Sequence, residues 1–483
     1  MYLGLDLGTS GLRALLVDEN GAPVASAEAP CTVQHPHPGW SEQDPTEWIT
    51  ACESAMARLR AEVPEALAAL KGIGLSGQMH GATLLDKSDR VLRPCILWND
   101  TRAAAEAAAL DGAPDVRALS GNIVFPGFTA PKLLWVEAHE PEIFAQVAKV
   151  LLPKDYLRLW LTGAHVSDMS DAAGTSWLDV GARDWSDRLL SASHMRRDQM
   201  PRLVEGSETS GRLRAELASD WGVTGPVEVA GGGGDNAAAA CGVGCLKEGD
   251  GFVSLGTSGV FLAAKDSFAP APETAVHSFC HAIPGTWYQM GVILAATDCL
   301  NWLAGTLGDT PKALAGAMPD TPTGPAPVLF LPYLSGERTP HNDAAMRGAF
   351  LGLDIGHDRR TLTQAVMEGV GFALRDNLEA LKSTGTDLSA VLAIGGGTGS
   401  RFWLESLATI LDLPLKLPAQ GEFGAALGAA RLAMAATGHS VTDIMGAPQV
   451  ATTIDPRADL TPAYAEAYAK YRALYPSLKA VLT

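Results

Sequence analysis

The sequence lacks an uninterrupted apolar run of about 18 residues or more, the length that a membrane-spanning helix requires, and this excludes a helical membrane protein. Positive charge is also scarce: 36 lysines and arginines face 54 aspartates and glutamates, which gives a formal net charge of −18. An acidic surface argues against nucleic acid or an anionic membrane as the main partner. It does not exclude an anionic nucleotide, because magnesium and local backbone amides can supply a positive field.

The 7 cysteines follow no metal-ligand spacing. Cys241 and Cys245 lie in a segment rich in glycine and alanine, where small buried residues are expected rather than ligands or a disulfide. The first residues enter a strand that contains Asp6, a pattern unlike a signal or transit peptide. The sequence therefore predicts a cytoplasmic protein with reduced thiols. At 483 residues it is long enough for two domains, each with its own core.

One five-residue motif, Leu-Gly-Thr-Ser-Gly, occurs at residues 7–11 and again at 255–259. Apolar runs flank both copies, so each predicts a tight turn between two strands. The glycines let backbone amides face a ligand, and the turn then offers N–H donors and two hydroxyls to an anion. The repetition indicates a duplicated fold that grips one phosphate chain from both sides. The candidate phosphate ligands are Gly8, Thr9, Ser10, Gly256, Thr257 and Ser258.

The remaining pattern of the first half predicts an α/β domain with a mixed sheet. Residues 2–6, 12–17 and 24–29 are candidate antiparallel strands, and a helix is expected after Asp44 as N-cap. Polar residues between 120 and 185 are interpreted as helix caps and loop residues without a chemical role. Residues 424–430 predict a helix face of small residues for close packing, again without chemistry.

Two segments at predicted strand ends are candidates for substrate binding, because ligands usually lie at that edge of an α/β sheet. The first carries Gln78, Met79 and His80, and its alternative is a turn whose His80 is merely solvated or capped. The second carries Trp98, which offers a stacking face, and Asp100, which offers hydrogen bonds to a polyhydroxylated ligand. Its alternative is a buried tryptophan followed by a helix capped at Asp100 or Thr101.

The clearest acid–base candidate is Asp235, which follows four glycines at residues 231–234 and precedes Asn236. Consecutive glycines have too much backbone entropy to favour a regular element, so a loop is expected there, with a helix starting near Asp235. One interpretation of Asp235 is a simple helix N-cap. The other is a general base aimed at a substrate hydroxyl. Its position shortly before the second Gly-Thr-Ser turn favours the base.

A last glycine turn at residues 395–399 follows an apolar strand and precedes a helix that opens with Arg401. Its successive glycines permit a flat ring or a phosphate to lie against the backbone. The spacing is not that of the dinucleotide-binding fingerprint.

Together, these motifs resemble those of the FGGY carbohydrate kinases, which belong to the superfamily of actin, hexokinase and the heat-shock chaperone ATPases. The segments at 77–81, 98–100, 127–135, 152–157, 167–172 and 332–340 are most similar to family members that act on D-xylulose. The resemblance implies two ribonuclease-H-like domains with mixed sheets around a central cleft, residues 1–244 mainly for the sugar and 245–483 mainly for the nucleotide. It also implies ATP and Mg²⁺ as cofactors, and a homodimer.

The same resemblance implies roles for individual residues. Asp235 would be the general base on the sugar 5-hydroxyl, and Asp6 would orient the water shell of magnesium. The sugar would contact Met79, His80, Trp98, Asp100 and Asn236, and the adenosine would lie beside Gly396, Gly397 and Arg401. Alternatives are a family member for another ketose or polyol, or an actin-like or chaperone-like ATPase without a sugar substrate.

Overall fold

The computed structural model of the protein describes residues 1–419 and 424–482. Among the helices in these two ranges, none has the length and apolar character needed to span a membrane.

The first half of the chain contains fifteen strands and eleven helices within the described residues. The strands are β1 (Tyr2–Leu7), β2 (Gly11–Val17), β3 (Pro23–Pro30), β4 (Glu42–Gln43), β5 (Gly72–Gly77), β6 (Thr83–Leu85), β7 (Cys95–Ile96), β8 (Lys149–Leu151), β9 (Val166–Asp168), β10 (Leu178–Asp179), β11 (Asp184–Trp185), β12 (Arg202–Val204), β13 (Thr209–Arg212), β14 (Glu228–Ala230) and β15 (Gly233–Gly234). The helices are α1 (Pro45–Glu62), α2 (Pro64–Ala68), α3 (Ala104–Asp111), α4 (Val116–Ser120), α5 (Thr129–His139), α6 (Pro141–Phe144), α7 (Pro153–Thr162), α8 (Met169–Ala172), α9 (Asp187–Ala192), α10 (Ala215–Trp221) and α11 (Asp235–Val243).

The second half follows with fewer and longer elements. Its strands are β16 (Gly251–Leu255), β17 (Gly259–Lys265), β18 (His277–Cys280), β19 (Trp287–Ile293), β20 (Leu329–Leu331), β21 (Ala349–Leu351), β22 (Val391–Ile394), β23 (Leu415–Pro418) and β24 (Val450–Ile454). Its helices are α12 (Thr297–Leu307), α13 (Pro311–Gly316), α14 (Arg359–Lys382), α15 (Arg401–Leu411), α16 (Gly424–Ala436), α17 (Val441–Ile444) and α18 (Thr461–Leu482).

Each half builds one large mixed sheet, as the sequence predicts. The first runs in the order β13-β14-β5-β1-β2-β3, with β15 also paired to β5. The second runs in the order β18-β19-β17-β16-β22-β23-β24. In the first sheet β1, β2 and β3 are antiparallel neighbours, whereas β5 is parallel to β1 and to β14. The helix expected after Asp44 is α1, and the Asp44 carboxylate accepts a hydrogen bond of 2.9 Å from the amide of Thr46.

Both Gly-Thr-Ser motifs connect antiparallel strands, which confirms the two predicted hairpins, but the turns differ in register. In the first hairpin Leu7 pairs with Leu12. In the second Leu255 pairs with Gly259 rather than with Val260, so its turn is one residue shorter. Because side chains alternate along a strand, this shift places equivalent residues of β2 and β17 in different pairing positions. The duplicated motifs are therefore not geometrically equivalent.

The small-residue helix α16 packs directly on the first sheet and on α11, as its composition predicts. A Cβ atom added to Gly74 on β5 would lie 1.8 Å from the carbonyl oxygen of Ala429. One added to Gly428 would lie 1.7 Å from the carbonyl oxygen of Ala238 on α11. Glycine is required at these positions because backbone meets backbone. A segment late in the chain thus completes the core of the first half.

We predict that Gly74→Ala destabilises the protein by about 1–3 kcal/mol, because the new methyl group forces α16 away from the sheet. Gly305→Ala is the matched control: it lies in α12, where an added Cβ would meet no atom of the described residues within 4 Å outside its own helical turn. Alanine is the better helix former there, so a gain of about 0.5–1 kcal/mol is expected. Urea unfolding of both variants measures the difference, and equal stabilities would contradict the packing described.

Candidate active site

Three parallel strand ends form the centre of the candidate site. Asp6 on β1 pairs with Ser76 on β5, and Ser76 pairs with Gly233 on β15. Their carboxyl ends lie side by side and lead into the first Gly-Thr-Ser turn, the segment at 78–80 and Asp235, respectively. This alignment brings together residues that are far apart in sequence, at the edge where α/β sheets bind ligands. The loop expected for all four glycines is wrong for Gly233 and Gly234, which are paired because β5 offers free backbone groups there.

Asp235 is the first residue of α11, and the N-cap position is occupied by Gly234. Its Oδ1 accepts hydrogen bonds from the backbone amide and the Nδ2 atom of Asn236, at 2.7 and 2.9 Å. The N-cap interpretation is therefore wrong, because Asp235 lies inside the helix and Gly234 precedes it as the cap. Burial and the nearby charge of Asp6 raise the pKa of Asp235 to about 6. A carboxylate with this pKa can accept a proton near neutral pH.

Asp6 lies close enough to Asp235 for the two charges to interact. The Ser76 hydroxyl donates a hydrogen bond of 2.9 Å to Asp6 Oδ1, while burial raises the pKa of Asp6. Two carboxylates that repel each other fit a divalent cation, which would relieve the repulsion, and carboxylate oxygens are ligands that Mg²⁺ prefers.

The segment after β5 forms a rigid wall of the site. His80 has a positive φ of 69° and stacks on Phe128, with ring centroids 4.5 Å apart. Its Nδ1 lies 2.7 Å from the carbonyl oxygen of Gly174 and must donate to it, which leaves Nε2 as an acceptor. Burial lowers the pKa of His80 to about 3, so the ring is neutral. The solvated-turn interpretation of His80 is therefore wrong.

Met79 connects this wall to the glycine segment before the base. It is buried, and a Cβ added to Gly234 would lie 2.8 Å from Met79 Cγ. The thioether side chain thus packs against the backbone just before Asp235.

Trp98 and Asp100 differ in the exposure of their side chains. Trp98 is 42% exposed, so its ring is available for stacking and the buried alternative is wrong. Asp100 is buried, and its carboxylate accepts hydrogen bonds from the amide of Ser41 and from the guanidinium and amide of Arg102. The helix-cap alternative fails as well, because α3 begins at Ala104 without a side-chain cap. Contact of Asp100 with a sugar stays a prediction.

A hydrogen-bond chain ties the first Gly-Thr-Ser turn to the substrate segment. Thr9 donates to Gln78 Oε1 at 3.0 Å and accepts from Trp98 Nε1 at 3.0 Å. Gln43 donates to the Thr9 carbonyl at 2.6 Å and accepts from Gln78 Nε2 at 2.9 Å. The turn and the segment are therefore positioned as one unit.

The second half of the chain supplies a cavity of about 720 Å³. Gly396, Gly397 and Arg401 line it. Their predicted contact with the adenosine stays a prediction. Close approach explains Gly397, since a Cβ added there would lie 2.7 Å from Leu255 Cβ. Thr297, which also lines the cavity, donates to the carbonyl oxygen of Gly256 at 2.8 Å. The cavity therefore adjoins the second Gly-Thr-Ser turn.

The predicted residues thus form two groups. One comprises Asp6, the first turn, Met79, His80, Trp98, Asp235 and Asn236; the other comprises the second turn, Gly396, Gly397 and Arg401. Within the described ranges no hydrogen bond joins the two turns, and their convergence on one phosphate chain stays a prediction.

A buried ionic cluster beside the site was missed by the sequence interpretation, which assigned residues 120–185 to caps and loops. Lys154 Nζ lies 2.6 Å from Asp155, 2.7 Å from Asp168 and 3.0 Å from Asp171, and all four side chains are fully buried. Asp168 accepts from the Ser170 hydroxyl, and Ser170 Oγ accepts from the amide of Gly234 at 3.1 Å. The cluster therefore holds the segment that carries the base. The spacing of Lys154 and Arg158 on one face of α7 is the signal that could have indicated it.

Arg158 extends this support along the glycines. It donates to the carbonyl oxygens of Ala230 and Gly231, at 2.5 Å for each contact. A buried guanidinium thereby binds the start of the glycine segment. The high backbone entropy that the sequence suggests is overcome by these contacts.

Buried aromatic residues of the second half pack beside His80 and Phe128, and sequence reasoning missed them too. His277 and Phe279 on β18 are stacked, with centroids 5.3 Å apart, and Phe279 lies 6.2 Å from His80. Asn122 fixes this strand by donating to the Ser278 carbonyl and accepting from its amide, each at 3.0 Å. Strand β18 of the second half is therefore bound to the first half beside His80.

Two α/β halves, each with a Gly-Thr-Ser hairpin on a mixed sheet, and a buried carboxylate at the end of β15 are the features expected of a sugar kinase. Residues 1–242 match the N-terminal domain, and residues 251–437 the C-terminal domain, of the FGGY family of carbohydrate kinases. The chain belongs to this family. The predicted fold class, two actin-like ATPase domains, is confirmed.

Individual relatives cover nearly the whole chain. It is 49% identical to a xylulose kinase from Escherichia coli (strain K12) over 482 residues, 99% of each chain, and 52% identical to a xylulose kinase from Klebsiella pneumoniae over 92% of each. The solved structure of a xyloylose kinase from Brucella ovis shares 60% identity and a TM-score of 0.98 over 99% of each chain.

We predict that Lys154→Met destabilises the protein by about 3–5 kcal/mol, because three buried carboxylates lose the cation that they share. Lys71→Met removes an exposed lysine that pairs with Glu19 and is expected to leave stability unchanged. Thermal unfolding compares the two variants. A Lys154→Met protein as stable as the Lys71→Met protein would contradict the cluster's role.

Proposed function

We propose that this protein transfers the γ-phosphoryl group of ATP to the 5-hydroxyl of D-xylulose, with Asp235 as the general base. The observation that carries the proposal is the position and raised pKa of Asp235 at the end of β15, beside Asp6 and the substrate wall of Met79 and His80. The relatives described above support D-xylulose as the sugar. As a cytoplasmic enzyme it would have ATP at hand, and its seven free cysteines suit a reducing compartment.

In this mechanism the sugar lies against His80, whose neutral Nε2 accepts a hydrogen bond from a hydroxyl. Trp98 offers its exposed face to the carbon chain, and Asn236 lies beside the base. Asp235 accepts the proton of the 5-hydroxyl as the oxygen attacks phosphorus. Such proton transfer contributes about 10²–10⁴-fold to the rate.

Positioning and charge neutralisation supply most of the remaining acceleration, because the transition state of phosphoryl transfer is loose. The two Gly-Thr-Ser turns would bind the phosphates through backbone amides and hydroxyls. Asp6 would hold Mg²⁺ through water, and the ion would supply positive charge to the phosphates. Gly396, Gly397 and Arg401 would bind the adenosine in the cavity they line.

ADP release measured against a panel of ketoses and polyols tests this proposal. We expect turnover to depend on sugar and to be fastest with D-xylulose. Preference for another ketose or a polyol would change the substrate but keep the mechanism. ADP release independent of any sugar would contradict it and favour a family of ATP-driven chaperone-like proteins instead.

For Asp235→Asn we predict a fall in kcat of about 10²–10⁴-fold, because the amide cannot accept the proton. ATP binding, measured by titration calorimetry, is expected to be retained, since the nucleotide cavity is built by the second half of the chain. Near-normal turnover in this variant would remove Asp235 from the catalytic role.

The pH profile gives an independent prediction. The base must be ionised, and its raised pKa of about 6 means that kcat/KM falls below that pH, by about tenfold per unit, and is level above it. Asn236→Ala removes the Nδ2 donor that lowers this pKa, so the acidic limb is expected to move to higher pH. Two results would contradict the assignment. One is an unmodified enzyme whose kcat/KM stays level down to the pKa of an ordinary carboxylate. The other is an Asn236→Ala variant whose acidic limb does not move.

A further inference from the structure

A cationic side chain from the second half of the chain contacts an aromatic residue of the first half. Arg338 lies between β20 and β21, and its Cζ is 4.6 Å from the ring centroid of Phe125. Phe125 packs at 5.4 Å on Phe128, the ring on which His80 is stacked. Arg338 therefore borders the aromatic wall that carries the sugar ligand His80.

The backbone at Arg338 is held by its neighbour. The Thr339 amide donates to the Val292 carbonyl at 3.1 Å, and Thr339 Oγ1 accepts from the Val292 amide at the same distance. The same hydroxyl donates to the Ala275 carbonyl at 3.0 Å, two residues before β18 begins. The position of Arg338 is thus fixed relative to β18, which carries His277 and Phe279.

The guanidinium of Arg338 has donors to spare. It carries five N–H groups and no acceptor. In residues 1–419 and 424–482 no carboxylate forms an ion pair with its side chain and no acceptor is hydrogen-bonded to it, although the charge of the adjacent Glu337 acts on it. Burial lowers its pKa to about 10, so it stays charged at neutral pH, and its charge contributes to the lowered pKa values of His80 and His277.

The charges around the candidate site place Arg338 at the end near His80 rather than at the end near Asp235. The charge that acts on the pKa of Asp235 is that of Asp6. The charges that act on the pKa of His80 are those of Lys132 and Arg338. Lys132 is already bound, since its Nζ donates to the His80 carbonyl at 2.8 Å. Of these two cations, Arg338 is the one whose donors remain for a ligand at the His80 end.

We propose that Arg338 binds the sugar directly, donating hydrogen bonds to its oxygens at the end opposite the hydroxyl that faces Asp235. This inference rests on the proposed function. A ketose presents a carbonyl oxygen, a pure acceptor, at the end remote from its 5-hydroxyl, and a guanidinium is a pure donor. Arg338 would therefore favour a ketose over the corresponding polyol. The polyol has a hydroxyl in place of the carbonyl, and this hydroxyl accepts a hydrogen bond from Arg338 only when its own proton points elsewhere.

The test compares Arg338→Met with the unmodified enzyme in Mg-ATP and D-xylulose. We expect the KM for D-xylulose to rise about 10- to 100-fold, the loss typical of a hydrogen bond from a charged group. The KM for ATP and the melting temperature are expected to stay unchanged. The ratio of kcat/KM for D-xylulose over xylitol is expected to fall.

Arg347→Met is the matched control, because it removes a guanidinium of the same segment that donates to the carbonyl oxygens of Ala344 and Met346, within its own loop. It should leave the sugar KM unchanged. Arg338→Lys keeps the charge and guards against a folding defect; an intermediate sugar KM is expected for it.

An unchanged sugar KM in both Arg338 variants would overturn the inference. Equal increases in the KM for sugar and for ATP, together with a lower melting temperature, would also overturn it in favour of a purely structural role. An unmodified enzyme that phosphorylates no sugar would instead overturn the proposed function.

Discussion

The buried cation of Lys154 is the contact on which the candidate site depends. Three carboxylates surround it without access to solvent, a set of charges that is stable only while the cation is present. Through Asp168 and Ser170 the cluster binds the amide of Gly234, and Arg158 binds the carbonyls before it. Flexible glycines are thereby held rigid, and Asp235 follows them at a fixed place. Asp235, the proposed base, is thus positioned by residues that have no proposed contact with the substrate.

The parallel pairing of β1, β5 and β15 places the ends of these three strands side by side in the candidate site. Each strand end carries a different part of the candidate site: the first Gly-Thr-Ser turn follows Leu7, the segment with Met79 and His80 follows Gly77, and Asp235 follows Gly234. The second half repeats the arrangement with β16 and β22, whose ends carry the second turn and the adenosine glycines. The repeat is not exact. The second turn is one residue shorter, and Ser254 stands where the first strand has Asp6.

Local patterns predicted much of this from sequence. The two hairpins, the helix after Asp44, the mixed sheets and the cavity glycines all follow from turn chemistry and apolar spacing. The pairing of Gly233 and Gly234 could not be predicted, because it depends on free backbone groups of β5. The cluster around Lys154 could not be predicted either, because its members are ordinary polar residues in the sequence and only the fold buries them together. Arg338 and His277 were missed for the same reason: they reach the site across a domain boundary, and no local pattern indicates such a contact.

The central claim is that the carboxylate of Asp235 directs phosphoryl transfer to one hydroxyl of a ketose. The most direct measurement is phosphorus NMR of the product formed from D-xylulose and Mg-ATP, with carbon coupling to locate the phosphate. The account predicts one equivalent of ADP per equivalent of sugar phosphate, with the phosphate on the 5-oxygen alone. Phosphate on another oxygen, or ADP formed together with inorganic phosphate and no sugar ester, would contradict it.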